Sequence, residues 1–370
     1  MQNTSKKLSS ISIKGFKSIK SIENLEVRSI NILIGANGVG KSNFIDVFDL
    51  IDLIREGSIS SYSQQEGGAD NILCFGSKIT DKMSIELSFF DDVYGYFICL
   101  APNKQDILYI EEEKCWRWEY CWDGQQNRPI KNYYEPQSSE QYESYSFRQI
   151  FYEISNWRKY HFHDTGDQSP IKKNVNVNDN RFFRQDGSNL PAYLLLLKKN
   201  YPQSYLLICN TIKQVTPFLK DFRLETLMLH KDRLRLEWVH NFSDKYFDVS
   251  SLSDGTLRFI CLATLLLQPP TLRPSMILLD EPELGLHPYA ITLLASMIKS
   301  AAVDTQVIIS TQSSLLLDHF EPEDILVTEL ENGATTIKRL DSEVLEQWLD
   351  DYSLGQLWEK NYLGGRPKHG

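Results

Sequence analysis

The sequence predicts an α/β fold with a mixed sheet, on three observations. Residues 30–34 (Ile-Asn-Ile-Leu-Ile) form an apolar run that reads as a buried strand, and they lead directly into a glycine-rich stretch followed by a helical pattern over 41–54. A second apolar run over 276–280 reads as a buried strand and delivers the adjacent carboxylates Asp280 and Glu281. Between them, residues 84–90, 94–100, 107–112 and 116–122 alternate apolar and polar side chains. Turn residues such as Asp91-Asp92 and Pro102-Asn103 separate these runs, the pattern of an antiparallel meander.

The elements follow in order. Residues 11–22 alternate like a strand, and after a polar turn the 30–34 strand, the glycine loop, the 41–54 helix and the meander succeed one another. From 131 to 180 the chain is rich in Tyr, Ser, Asn and Gln, with one amphipathic piece over 147–157, and is expected to be irregular and partly helical. Helices are expected over 188–199 and 201–215, strands over 222–229 and 234–240, and a helix from Ser253. After the 276–280 strand come a helix over 289–300, a buried strand over 306–310, and a hairpin of 325–330 and 335–339 turning at Asn332-Gly333. A helix over 342–350 precedes the tail. No sustained heptads occur between about 56 and 250, so any arm is a compact lobe rather than a coiled-coil rod. The expected domains are 1–130 (N-lobe with the β subdomain), 131–245 (inserted lobe), 246–340 (C-lobe) and 341–370 (helix and tail).

Composition bounds the function. With 370 residues, 42% hydrophobic and 24% charged, the chain can bury a real core and is not expected to be disordered. The apolar stretches at 194–197 and 262–267 are too short to span a bilayer, so no membrane partner is expected and a cytoplasmic location is. Six scattered cysteines lack zinc or redox spacing and read as reduced thiols. A net charge of −10 excludes a surface uniformly coated for nucleic acid. Local basic groups remain, at Lys6 to Lys20, Arg158-Lys159, Lys172-Lys173, Arg181 with Arg184, Lys198-Lys199, and Lys231 with Arg233 and Arg235.

The chemistry concentrates in three places. Gly35-Ala36-Asn37-Gly38-Val39-Gly40-Lys41-Ser42 fits the phosphate loop G-x-x-x-x-G-K-[ST]. Its glycines let backbone N–H groups close on phosphate oxygens at a helix N-terminus, with Lys41 on the β and γ phosphates and the Ser42 hydroxyl on Mg²⁺. Asp280 and Glu281 stand at the C-terminal end of a strand, where open α/β sheets place ligands: Asp280 suits the magnesium shell, and Glu281 suits a base that orients and deprotonates water. Leu252-Ser253-Asp254-Gly255-Thr256 puts a hydroxyl and a glycine at a helix start, an anion-binding terminus. His161 and His163, with Asp164 beside them, have no further ligand readable in the sequence and fit a packed or hydrogen-bonded role better than a metal site.

The order GANGVGKSN, LSDGT, MILLDEPELGLHP, VIISTQS resembles ABC-type ATPases, and most closely the SMC-like, RecF-like and OLD-like P-loop ATPases of bacteria. Further phrases (GFKSI, GGADNILCFG, YHFHDTGD, NDNRFFRQDGSNL, YSLGQLWEKNYLGGRP) extend the resemblance to one RecF-like branch and nearly the whole chain. It implies an ABC-head fold: a mixed sheet, an antiparallel β subdomain and a helical lobe insertion, without a long coiled coil. It implies ATP held by Gly35, Asn37, Gly38, Gly40, Lys41, Ser42 and Asn43, with Mg²⁺ on Ser42 and Asp280, and catalysis by Glu281, Lys41 and Gln312. Ser253 and Gly255 match the signature that closes on a partner's γ-phosphate, implying a head-to-tail homodimer around two ATP molecules, and Lys17 matches a basic residue placed beside the nucleotide.

Two departures from the family pattern bear on activity. Gln312 stands where the switch residue is usually His; it donates a hydrogen bond but cannot titrate, which implies slow turnover with little pH dependence from that position. Asp254 replaces a glycine and brings a carboxylate toward the phosphate contact. The lid-loop glutamine is Gln64 or Gln65. The role that follows is an ATPase in DNA repair or DNA-linked defence, gripping DNA as it dimerises. The alternative is a regulatory ATPase that restrains a separately encoded nuclease or toxin in an anti-phage system, since the tail is too short for an appended nuclease domain. A transporter subunit is disfavoured by the long stretch between Lys41 and Ser253.

Overall fold

The computed structural model describes residues 7–90, 93–122, 127–134, 145–166, 168–243 and 245–364, with side chains 118–147 outside the description. Two compact units emerge: Met1–Trp157 with Pro322–Asp350 and Lys360–Gly370, and Arg158–Glu321 with Asp351–Glu359.

The first unit opens with β1 (Leu8–Phe16) and β2 (Ile19–Glu26). The alternation over 11–22 is therefore split, because Lys17 turns the chain with a left-handed backbone (φ 46°) and its N–H donates to the Ile72 carbonyl at 2.7 Å. β3 (Ile30–Ile34) runs into the glycine loop and α1 (Lys41–Arg55), which buries Phe44, Ile45, Phe48 and Ile51 at helical spacing. A short α2 (Ile59–Gln65) follows; its Ser- and Gln-rich sequence carries too weak an apolar stripe to be read in advance.

β4 (Met83–Phe89), β5 (Tyr94–Pro102), β6 (Leu108–Trp122) and β7 (Asn127–Tyr134) complete an antiparallel sheet in the order β2-β1-β4-β5-β6-β7. The strands expected over 107–112 and 116–122 are one: no turn residue interrupts Glu113-Lys114-Cys115, which continue to pair opposite Ile98, Phe97 and Tyr96. Apolar side chains line up across the strands, Ile13 opposite Ile85 and Ile85 opposite Ile98. α3 (Tyr145–Ser155) follows, and Trp157 stacks on Phe89 at 6.1 Å and meets Phe48 edge-on at 5.5 Å, joining sheet to helix.

The second unit begins at Arg158, within β8 (Trp157–Tyr160), and continues with β9 (Val175–Asn176), α4 (Leu190–Asn200) and α5 (Pro202–Val215), each helix with proline in its first turn. Instead of two strands over 222–229 and 234–240, four short ones form: β10 (Leu219–Arg223), β11 (Thr226–Leu227), β12 (His230–Leu234) and β13 (Glu237–His240), followed by β14 (Tyr246–Asp248). Met228 and Leu229, apolar by sequence, sit at an exposed turn, which is why the strand could not be read correctly. α6 (Asp254–Leu267) is buried on nearly every side beyond its first turn. β15 (Met276–Asp280), α7 (Pro288–Ala301), β16 (Gln306–Thr311) and the single-turn α8 (Ser314–Leu317) follow. β15 and β16 pair in parallel, Ile277 opposite Val307 and Asp280 opposite Ser310, with the continuous apolar character of strands covered on both faces.

The chain then returns to the first unit as β17 (Ile325–Glu331), β18 (Ala334–Arg339) and α9 (Ser342–Leu349), before α10 (Leu354–Glu359) closes on the second. β17 pairs parallel with β3, Ile325 opposite Ile32, and antiparallel with β18. Asn332 and Gly333 make the hairpin turn with positive φ (52° and 78°), as that dipeptide requires.

Among the described residues there is no long coiled coil, and no helix is long and apolar enough to cross a membrane. Cys74, Cys99, Cys115, Cys209 and Cys261 are free and buried, and the side chain of Cys121 lies outside the described residues. Burial pushes the thiols of Cys99 and Cys209 up to about 11, so they are unreactive packing groups at neutral pH.

Candidate nucleotide site

In the first unit, β3 ends at Ile34 and the loop Gly35 to Gly40 wraps into the N-terminus of α1. Gly40 is the N-cap, with φ 101°, and brings no side chain to cap the helix, so the first turn presents its N–H end uncapped. A Cβ there would run into Thr335 Oγ1 and come within 2.6 Å of Ser18 Oγ. Gly38 (φ 79°) is exposed at the loop crest, and Gly35 lies so close to the Thr328 carbonyl that a Cβ would sit 2.5 Å from it. Lys41 is buried, its ammonium donating to the carbonyls of Gly35 (2.8 Å) and Ala36 (3.0 Å), so the charge is held inside the loop. Ser42 is exposed, while Asn37 lies on the open side of the loop.

A chain of polar side chains braces this loop. Asn43 Nδ2 donates to Ser18 Oγ at 2.7 Å, Ser18 and Thr335 hydroxyls meet at 2.6 Å, and Thr335 Oγ1 donates to the Val39 carbonyl at 2.8 Å. Each hydroxyl has one proton, so the direction is forced: Asn43 to Ser18, Ser18 to Thr335, Thr335 to the loop. Lys17 Nζ pairs with Asp46 of α1 at 2.9 Å. Burial opposes its charge, but the hydrogen bond and the charge of Asp46 outweigh it and leave the ammonium pKa raised. Ser18, Asp46 and Thr335 belong to none of the three motifs that carry chemistry in the sequence; only their nearness in space to Asn43, Lys17 and the loop reveals them.

The carboxylates lie in the second unit. Asp280 ends β15 half-buried, and one carboxylate oxygen accepts from Ser310 Oγ of β16. Its carbonyl takes a 3.0 Å contact from His163 Nε2, so that histidine has a hydrogen-bonded role. No cluster of three or more His, Cys, Asp or Glu that could hold a metal exists among the described residues. Glu281 has φ 42°, a left-handed conformation costly for a side chain of this size, with its N–H on the Ser310 carbonyl at 2.9 Å. Gln312 Nε2 donates to Glu281 Oε1, which brings together two residues that the sequence places in separate motifs. Glu283 is buried and accepts from Thr311 Oγ1; burial raises its pKa, partly offset by that bond.

Ser253 is the N-cap of α6, its Oγ accepting from Thr256 N at 3.2 Å. Asp254 has Lys172 Nζ 3.8 Å away, which offsets the charge that replaces the family's glycine. Gly255 abuts the Gly285 carbonyl, where a Cβ would collide. Gln64 and Gln65 are both exposed, at the end of α2. The residues fit the expected ligands by type: an uncapped helix N-terminus with a buried lysine suits a polyphosphate, and the hydroxyl and carboxylate oxygens of Ser42 and Asp280 are the hard donors Mg²⁺ prefers.

Residues 30–318 match the family model described as "AAA domain, putative AbiEii toxin, Type IV TA system". The chain belongs to this AAA-domain family. Its fold is that of SMC head domains. The SmcHead solved bound to the C-winged helix domain of ScpA is 16% identical with a TM-score of 0.56, covering 92% of this chain and 99% of that one. The Smc head domain from Pyrococcus furiosus, with an extended coiled coil and bound to the C-terminal domain of ScpA, is 13% identical with a TM-score of 0.55, covering 94% and 99%. That from Pyrococcus yayanosii, with a coiled coil and joint, is 11% identical with a TM-score of 0.54, covering 94% and 99%. No curated protein matches the chain.

Proposed function

We propose that this AAA-domain protein binds ATP with Mg²⁺ at the 35–42 loop, hydrolyses it to ADP and phosphate with Glu281 as base, and pairs head to tail with a second copy through ATP. The observation that carries the reading is the loop itself: a buried lysine folded back on loop carbonyls beneath an uncapped helix N-terminus. Exchanging those neutral carbonyl acceptors for anionic phosphate oxygens adds the attraction of opposite charges to bonds that the Lys41 ammonium already donates. Ser42 and Asp280 are the residues that would hold Mg²⁺, which supplies charge neutralisation on the phosphate oxygens when bound. Glu281 takes the proton of a water whose oxygen bonds to the γ-phosphorus as the bond to the β–γ bridging oxygen breaks, and Gln312 orients that carboxylate. Gly35, Asn37, Gly38, Gly40 and Asn43 shape or brace the loop, Lys17 adds charge near its base, and Ser253 and Gly255 offer the helix end that covers the partner's ATP.

The setting we favour is cellular defence, with the ATPase regulating a separately encoded nuclease or toxin. The family description, which names a putative toxin of a type IV toxin–antitoxin system, supports the defence setting. The DNA-clamp reading has less support, because several basic side chains it would use already face carboxylates: Lys198 with Asp221, Arg184 with Asp179, Arg235 with Asp248 and Lys172 with Asp254. The deciding experiment measures nucleotide binding, turnover and molar mass for the wild type, Lys41→Ala and Glu281→Gln. Glu281→Gln is expected to bind ATP, lose about 10²–10⁴ in kcat and accumulate as a dimer; an unchanged rate removes the base assignment. Lys41→Ala is expected to lose nucleotide affinity, and unaltered binding defeats the loop reading. ATP-dependent, salt-sensitive DNA binding by the pure protein would restore the clamp.

A further inference from the structure

Arg258, one turn into α6, uses its guanidinium on main-chain oxygens of two other segments. Nε donates to the Phe162 carbonyl at 3.1 Å, Nη2 to the His163 carbonyl at 3.3 Å, and Nη1 to the Leu284 carbonyl. Both segments lead to the carboxylates. His163 contacts the Asp280 carbonyl through Nε2 at 3.0 Å, and Leu284 donates its own N–H to the Glu281 carbonyl at 3.2 Å. At the start of the same helix, Gly255 rests against the Gly285 carbonyl with no room for a side chain. The helix end bearing Ser253 is thus fastened to the Asp280–Glu281 turn at two levels, a bare backbone contact and a planar cation.

We infer that Arg258 is a positioning residue that transmits engagement of Ser253 and Gly255 with a partner's phosphate to the backbone of Glu281. This rests on the head-to-tail reading above and extends it by naming the connection. Stiffness makes the connection. A guanidinium offers five donors in a fixed plane, so three carbonyls bound to it keep their mutual spacing when the helix end moves. Glu281 is where such a shift would register, because its left-handed backbone is a costly conformation kept by its bonds to Ser310 and Leu284, and Leu284 is itself held by Arg258. A displacement of about 1 Å at a catalytic group is worth on the order of a hundredfold in rate. Hydrolysis would accordingly wait for the partner, and ATP binding to the lone subunit would not trigger it.

A double-mutant cycle on the full-length protein tests this, with Ser253→Ala, Arg258→Met and the double variant compared for kcat, KM and ATP affinity. ATP affinity is expected to be unchanged by Arg258→Met while kcat falls tenfold or more. If Arg258 carries the signal that Ser253 originates, the double variant turns over no more slowly than Ser253→Ala alone. Losses that multiply overturn the inference, as does a wild-type kcat in Arg258→Met. Should Arg258→Met fail to fold, as judged by its melting temperature, Arg258→Lys serves in the same cycle, since it keeps the charge and loses the planar fork. Full activity in Ser253→Ala would instead defeat the signature assignment beneath, a distinguishable failure.

Discussion

Replacing Thr335 by valine tests how the phosphate loop is held without touching any motif residue. Valine matches threonine in shape, so the β18 strand should stay in place while the hydroxyl is lost. Two bonds go with it: the donor to the Val39 carbonyl at 2.8 Å, and the acceptor for Ser18, whose hydroxyl receives from Asn43. Each net bond contributes about 0.5–1.5 kcal/mol, and leaving the buried carbonyl unpaired raises the cost toward the upper end. The added methyl returns about 0.8 kcal/mol. A net loss of about 1–2 kcal/mol follows, which is a drop of a few degrees in Tm. If about 1 kcal/mol of it is loop order that ATP must restore, Kd for ATP rises roughly fivefold. Urea denaturation and titration with a fluorescent nucleotide read both quantities. A Thr335→Val protein with wild-type stability and Kd would refute the bracing argument, and with it the assigned direction of the hydrogen-bond chain.

Two further outcomes follow from the same geometry. Gly40→Ala forces a side chain onto a left-handed N-cap and against Thr335 Oγ1; a loss of about 2–4 kcal/mol and of nucleotide affinity is expected, measured by the same denaturation and titration. Glu283→Gln keeps an acceptor for Thr311 but removes a buried charge. Because burial raises the carboxyl's folded pKa, ionisation costs stability from about pH 4.5 upward and nothing below it. The glutamine variant should therefore melt higher than wild type at pH 7 and converge with it as pH falls toward 4.5, and a difference independent of pH would contradict the assignment.

The sequence made some parts of this architecture legible and hid others for physical reasons. β3, α1, β15, β16 and the Asn332-Gly333 hairpin were readable because each is bounded by a glycine motif, a carboxylate pair or a turn dipeptide, and each buries a continuous apolar face. The turn at Lys17 was not, since a lysine seldom adopts φ 46° and nothing local announces it. Likewise the exposed Met228 and Leu229 imitate a buried strand. At the site, residues that belong to contiguous motifs could be named in advance. Those recruited from afar could not: Thr335 and Ser18 are separated by 317 positions, and Arg258 and Phe162 by 96. His163 was read as structural, and the Asp280 carbonyl is the partner that sequence could not supply.

The long reach of Thr335 has a consequence for biosynthesis. On a ribosome the glycine loop emerges early, yet its brace and the neighbour of β3, β17, are translated about 300 residues later, at roughly 5–20 residues per second. For tens of seconds the nascent chain therefore carries β3 without its parallel partner. Any competence of this loop to hold a nucleotide would wait for β18, so a product terminated before Thr335 would carry the motif without its brace.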